Sequence, residues 1–415
     1  MNIFIVSHYA GSIIHGMQYR PFYLAKEWLK LGHQVTIIAA SFSHLRSRAP
    51  HITGNLTEER VEGIRYMWIK TPSYHGNGVK RVFNMLTFVS RLSCYKAKLI
   101  QEGNPDVVIA ASTYPLDIYP SHQIAKSAKA LLIFEVHDLW PLSPIELGDM
   151  SPWHPFILLM QRAENFAYST SDLVVSMLPK TIEHMQKHGL ETYKFNYIPN
   201  GINIAEWEGN NSAMPQQHTE ILMELRRKGH FIVGYAGSHG VSNALHILIE
   251  AASFLQTKAV TLVLVGQGPE KESLQQKAFH AGLKNIIFLP PVPKSSIPAL
   301  LASMDAVFIG WQKKPIYRFG VSPNKLMDYM MAAKPVIHAV DAGNDMVAES
   351  GCGISIPPEH PEAIAKAVIQ LMNMTPEERE IMGLKGKEHV LTYHDYTVLA
   401  RQFLDVMEAR DGAST

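Results

Sequence analysis

Short apolar runs alternate with helix-length amphipathic stretches along almost the whole chain. Ile3–Ser7 reads as a first strand, a helical pattern covers about Tyr19–Leu31 and closes at Gly32, and Gln34–Ala39 reads as a second strand. Asp106–Ala111, Ala130–Val136 and Asp172–Met177 continue the series. Continuous apolar strands separated by helices predict a parallel sheet covered on both faces. The pattern stops near the Ile198-Pro-Asn-Gly-Ile turn and restarts with Phe231–Gly237, Val260–Gly266, Asn285–Leu289, Ala306–Gly310 and Pro335–Ala339.

These breaks predict four segments. Residues 1–200 form one Rossmann-like α/β domain, 201–229 a polar connection with a short helix, and 230–392 a second Rossmann-like domain. Residues 393–415 form a C-terminal helix that docks back on the first domain. In doubly wound sheets ligands bind beyond the carboxyl ends of the strands, so two such domains facing a central cleft would place a site there.

A length of 415 residues suits two cores better than one. Lys and Arg number 38 against 37 Asp and Glu, a net charge of +1 that gives no reason to expect nucleic-acid binding. The two cysteines, Cys94 and Cys352, lie far apart without ligand spacing, which fits a reducing cytoplasm. The N-terminal run lacks the basic region and cleavage site of a secretory signal and reads as a strand. No stretch approaches the roughly 18 apolar residues of a membrane span. A cytoplasmic protein, at most peripheral to a membrane, is expected.

The most informative chemistry lies in Tyr317–Ile337, which contains Val321-Ser-Pro-Asn-Lys-Leu-Met-Asp-Tyr. A loop leads into a helix opening near Pro323, whose free N–H groups and dipole suit an anion. Lys325 in the first turn is unfavourable to that dipole unless a phosphate sits beside it. Asp328, three residues on and on the same face, has the chemistry to accept hydrogen bonds from a ribose diol. A solvated surface lysine is the plainer alternative for Lys325.

This segment resembles the signature helix of the family-4 glycosyltransferases, retaining enzymes of the GT-B fold. Ile198-Pro-Asn-Gly-Ile resembles the family's inter-domain turn, Val265-Gly-Gln-Gly-Pro its glycine loop, and Phe22–Thr36 its first helix and second strand. Glu135-Val-His-Asp-Leu-Trp-Pro and Tyr235-Ala-Gly-Ser-His-Gly are similar to the bacterial surface-polysaccharide branch that includes L-fucosamine transferases. The resemblance implies a UDP-sugar donor held by Gly237, Ser238, His239, Gly240, Gly266, Val292, Arg318, Asn324, Lys325 and Asp328, with Gly16 near its phosphates. It further implies that His137 contacts the donor sugar, with Asp138 orienting the ring. His8, His15 and Arg20 are candidates for the acceptor side, each equally readable as an ordinary loop residue.

Two departures stand out. Of the family's two glutamates separated by seven residues, the second position is Asp328 and the first is Gly320. The Arg and Lys that many relatives use on the diphosphate align with Ser238 and Asn243, which leaves Lys325, then Arg318, as the cations. No Asp-x-Asp motif appears and the histidine spacing offers no metal cluster, so the expectation is a reaction needing no metal or other cofactor.

Between Glu62 and Glu102 there is no acidic residue. Arg65, Lys70, Lys80, Arg81, Arg91, Lys96 and Lys98 are interleaved there with Tyr66, Trp68, Tyr74, Phe83, Phe88 and Tyr95. Residues 65–98 are therefore either a surface for anionic lipid or a polyprenyl-diphosphate-linked acceptor, or a helix with a core face and solvated lysines. Three function classes stand at this point. They are transfer of an N-acetylated or deoxy hexosamine to a lipid-linked or oligosaccharide acceptor, nucleotide binding without catalysis, and 2-epimerisation of a sugar nucleotide.

Overall fold

The computed structural model describes residues 1–76, 78–209 and 212–409. The chain forms two compact units, Met1–Asn200 together with Tyr396 onward, and Gly201–Asp395. Unit 1 holds the strands β1 (Asn2–Val6), β2 (Gln34–Ala40), β3 (Leu56–Val61), β4 (Ile64–Ile69), β5 (Val107–Ala110), β6 (Leu131–Val136), β7 (Leu173–Ser176) and β8 (Phe195–Tyr197). They form one sheet in the order β3-β4-β2-β1-β5-β6-β7-β8, parallel except for β3 against β4. Unit 2 holds β9 (Phe231–Ala236), β10 (Val260–Val265), β11 (Ile286–Leu289), β12 (Ala306–Gly310), β13 (Val336–Ala339) and β14 (Gly353–Ile356). Their order, β11-β10-β9-β12-β13-β14, is all parallel and is the doubly wound Rossmann arrangement.

Alternation along the central strands builds the two faces of the unit 2 core. Val233, Tyr235, Leu262 and Leu264 face one cluster, while Ile232, Ala236, Val263 and Val265 face the other. Both faces are covered by helices, which is why these strands read as unbroken apolar runs. The 201–229 stretch carries two helices, Ile204–Gly209 and Gln216–Arg227, and the second drives Leu222 and Leu225 into the unit 2 core.

The helical end of the chain is two helices, Pro376–Tyr393 and Tyr396–Glu408. The second packs against the helix Arg20–Lys30 in unit 1, buries Leu399, Phe403 and Met407, and accepts a hydrogen bond from Trp28 Nε1 at Ala400 O (2.9 Å). The β3–β4 hairpin, absent from the sequence reading, turns through Glu62 (φ 47°) and Gly63 (φ 85°), the two positive φ values that a tight hairpin loop requires.

The 65–98 region splits between the two readings given above. Tyr66, Trp68, Tyr74 and Phe88 are buried core, Arg65 pairs with Glu58 and Glu102, and Arg91 donates to Lys70 O. Lys70, Lys80 and Lys98 stay exposed, and so does a short apolar row, Val79, Phe83 and Leu86, at the start of the helix Val79–Gly103. No helix among the described residues is long and apolar enough to cross a membrane.

Candidate active site

In unit 2 the strand order reverses between β9 and β12, the switch point beside which doubly wound sheets hold ligands. Gln312 N–H donates to Ser242 O (3.1 Å), tying the loops after these two strands together. The glycines after β9 and β10 are required by packing. At Gly266 (φ +150°) an added Cβ would lie 1.9 Å from Gly237 O, a clash with backbone, and at Gly237 (φ +158°) it would crowd Tyr235 Oη at 3.2 Å.

The helix Asn324–Met331 opens at this point without a side-chain cap and with no acidic residue in its first turn. Lys325 reaches back from it. Its ammonium donates to Asn243 Oδ1 (2.5 Å) and Tyr235 Oη (3.0 Å) and lies 4.7 Å from the Tyr235 ring centroid. Burial lowers its pKa to about 8. The half-buried ammonium is held by two neutral oxygens, and no carboxylate is among these acceptors. Asn243, which the resemblance aligned with a cation, instead accepts from Lys325 and so fixes where its ammonium lies.

Asp328 stands one turn further along, half-buried, beside the ion pair Lys294–Glu206 (2.8 Å). Burial raises its pKa to about 7; Lys294 opposes the shift and Glu206 adds to it. Ser238, Arg318 and Asn324 are exposed, Gly240 is half-buried, and Val292 packs partly buried on the adjoining core. The Arg318 guanidinium lies 4.2 Å from the Phe319 ring centroid.

His239 is turned inward, and neither of its ring nitrogens has a hydrogen-bond partner among the described residues. Its ring is fully buried between Tyr235 and Phe288, and its backbone N–H is spent on Gln267 O (3.0 Å). Burial, with the charges of Lys271 and Lys325, lowers its pKa to about 4, so the ring is neutral. Alternation along the loop explains the exchange, since Ser238 faces out and His239 faces in.

In unit 1 the reversal lies between β1 and β5, and His137 follows β6. Its partner is Glu135, whose Oε2 lies 2.9 Å from His137 Nε2; the expected orienting residue, Asp138, is exposed, and desolvation, opposed by His137, raises its pKa. Residues two apart at a strand end share a face, whereas neighbours do not, which is why the glutamate reaches the ring. The other oxygen, Glu135 Oε1, accepts from Arg20 Nε (2.9 Å). Burial alone would raise the Glu135 pKa, but Arg20 and His137 outweigh it and hold it at about 2.

The three acceptor-side candidates are internal. Arg20 is buried, and besides Glu135 it donates to the carbonyls of Ile198 and Pro199. His8 is fully buried among Tyr9, Phe88 and Tyr114, with Nδ1 2.6 Å from Tyr114 Oη. His15 is buried between Ser12 Oγ (2.8 Å) and Glu59 Oε2 (3.3 Å). Gly16 (φ +96°) is buried too, and an added Cβ would lie 2.8 Å from Ser47 Oγ, so its own chain, not a ligand, demands the glycine. Each folds inward because the 7–19 loop supplies polar groups that must be satisfied beneath the surface.

Glu135, Tyr235, Glu206 and Lys294 were not singled out from the sequence. A signal existed for Glu135, a carboxylate on an otherwise apolar buried strand. Away from this site, Glu164, His184 and His188 bring their ligand atoms within 4.8 Å of one another.

Residues 15–201 match the family described as Glycosyl transferase 4-like domain, and residues 230–374 match Glycosyl transferases group 1. No curated protein sequence matches the chain significantly. Among solved structures the chain is similar to HepE from Anabaena, solved in complex with UDP and glucose, at 17% identity and a TM-score of 0.67, covering 98% of this chain and 99% of that one. Sucrose-phosphate synthase from Thermosynechococcus elongatus matches at 15% identity and a TM-score of 0.74 over 100% of both chains. WaaG, a glycosyltransferase involved in lipopolysaccharide biosynthesis, matches at 15% identity and 0.65, covering 98% and 99%. A 4-like domain followed by a group 1 domain, on two doubly wound sheets, makes this chain a member of the glycosyltransferases of the GT-B fold.

Proposed function

We propose that the chain is a retaining glycosyltransferase that moves an N-acetylated or deoxy hexosamine from UDP to a lipid-linked or oligosaccharide acceptor in surface-polysaccharide synthesis. The observation that carries the reading is the half-buried Lys325 ammonium, held between Tyr235 and Asn243 with Asp328 one turn away. A nucleoside diphosphate meets both groups. Its phosphates neutralise Lys325 and take up the helix N-terminus, while its ribose hydroxyls donate to Asp328. HepE, of the same fold, is solved with UDP and with UDP-glucose, which supports uridine as the base.

In this reading the leaving diphosphate is stabilised by Lys325 and the helix N–H groups, without a metal. His137 contacts the donor sugar, held by Glu135, and the acceptor hydroxyl attacks the face from which UDP departs. The test is a titration of UDP, GDP and ADP, each with and without magnesium. UDP is expected to bind at least tenfold tighter than the others and equally in both conditions. Preference for GDP or ADP would overturn the donor assignment.

The affinity for UDP has an expected pH profile. Bound phosphate favours protonated Lys325 and bound ribose favours ionised Asp328, so affinity rises as pH passes about 7 and falls as it passes about 8. Asp328→Asn should remove the rising limb and keep the falling one, as read by calorimetry across the neutral range.

The lipid-linked acceptor rests on the exposed Val79, Phe83 and Leu86 beside Lys80. Replacing Val79 and Phe83 together by serine should raise KM for a polyprenyl-diphosphate-linked acceptor several-fold. UDP affinity should not move. An unchanged KM for the lipid-linked form would remove this surface from the account.

A further inference from the structure

The helix Pro155–Thr170 and the short helix Ile182–Lys187 of unit 1 bring together a group of side chains that the candidate active site does not use. Glu164 is buried, and His184 and His188 stand four residues apart across the end of the second helix, their ring centroids 4.6 Å apart. Glu164 Oε1 lies 3.2 Å from His184 Nε2 and also accepts from Tyr168 Oη (3.0 Å).

The centre of the group is held by one amide nitrogen. Gln161 Nε2 lies 2.7 Å from Glu164 Oε2, 2.8 Å from Asn165 Oδ1 and 2.9 Å from His188 Nδ1. His188 Nδ1 is itself 3.1 Å from Asn165 Oδ1. An amide nitrogen carries two hydrogens and a ring nitrogen at most one, so these four contacts share at most three protons. At least one pair therefore meets without a hydrogen between its atoms. A cation in place of the amide would accept lone pairs from Glu164 and His188 with no proton needed between them.

We infer that Glu164, His184 and His188 form a binding site for one divalent transition metal of the zinc class. Two imidazole nitrogens spaced four apart on a helix and one carboxylate are a donor set suited to such ions and not to magnesium or calcium. Tyr168 holds the carboxylate from behind, as outer partners of metal ligands do. The three ligand atoms lie within 4.8 Å of one another, and small side-chain rotations draw them onto one ion. Gln161 is half-buried and Asn165 exposed, so the amide has room to swing out as the ion enters. Such an ion pins one helix to the other; it takes no part in the proposed transfer reaction and does not depend on that reading.

The test is a cobalt(II) titration of the tag-free full chain, followed by visible absorption, then displacement by zinc and a melting curve. The expected result is one saturable cobalt per chain, displaced by one equivalent of zinc, with a raised melting temperature. His184→Ala and His188→Ala should each weaken binding at least tenfold while the metal-free melting curve stays close to wild type. Gln161→Ala should bind at least as tightly as wild type, because it removes the amide that fills the position. No saturable binding, or binding that both histidine variants retain in full, would overturn the inference, the latter by placing the metal on other histidines of this chain.

Discussion

Lys325→Ala should lower the affinity for UDP by about 10- to 100-fold, the range expected for charge-assisted hydrogen bonds to a partly desolvated phosphate. The size follows from the lack of a substitute. Arg318 is exposed, and Lys271, the other cation of this loop region, is engaged by the carbonyls of Gly266 and Leu289. Lys325→Arg should recover little, because the niche between Tyr235 and Asn243 receives a compact ammonium and not a planar fork. Calorimetric titration of both variants checks this. Full retention of UDP binding by Lys325→Ala would move the diphosphate elsewhere.

Glu135→Ala should be the most destabilising single change near the site, by about 3–5 kcal/mol, because it leaves the Arg20 guanidinium buried without its carboxylate. The same carboxylate holds the His137 ring, so turnover should fall in any protein that remains folded. Arg20 also donates to Ile198 and Pro199, so the loss should loosen the segment that ends unit 1. Glu135→Gln keeps the shape, loses the charge, and should fall between wild type and alanine. Denaturant unfolding gives the stability and steady-state kinetics give the turnover. His137→Ala, by contrast, should lower kcat with stability and UDP affinity nearly unchanged. The acid side has a defined sign. With its pKa depressed from 4.5 to about 2, Glu135 contributes its full stabilisation above the unfolded value and loses it as pH falls toward 2.

Much of the fold was legible because parallel sheets covered on both faces write themselves as apolar runs. The strands around β1 and β9 are of this kind. The β3–β4 hairpin was not legible, since Leu56–Val61 is a half-exposed edge whose glutamates and arginine mask its alternation. The same edge explains why Tyr66 and Trp68 read as surface aromatics: their partners in the core lie on other elements.

At the site, Lys325 could be read from sequence because a cation in a first helical turn conflicts with the dipole and so asks for an anion. Asp328 followed from helical spacing. Glu135 with Arg20 could not be read that way, since the pair joins positions 115 residues apart. For His8, His15 and Gly16 two readings stayed open for a related reason. Their position in a loop after β1 is visible in the sequence, but the direction in which each side chain turns is set by contacts with Ser47, Glu59 and Tyr114. His184 and His188 show a ligand spacing only once Glu164 is brought in from a second helix.

The most direct measurement of the central claim is a transfer assay: UDP-hexosamines incubated with a polyprenyl-diphosphate-linked saccharide, with UDP release quantified and the product's anomeric configuration read by NMR. The account predicts release of one UDP per sugar transferred, without magnesium, and a product linkage that keeps the donor's configuration. An inverted linkage, a sugar nucleotide altered only at C2, or UDP binding with no transfer from any donor would contradict it.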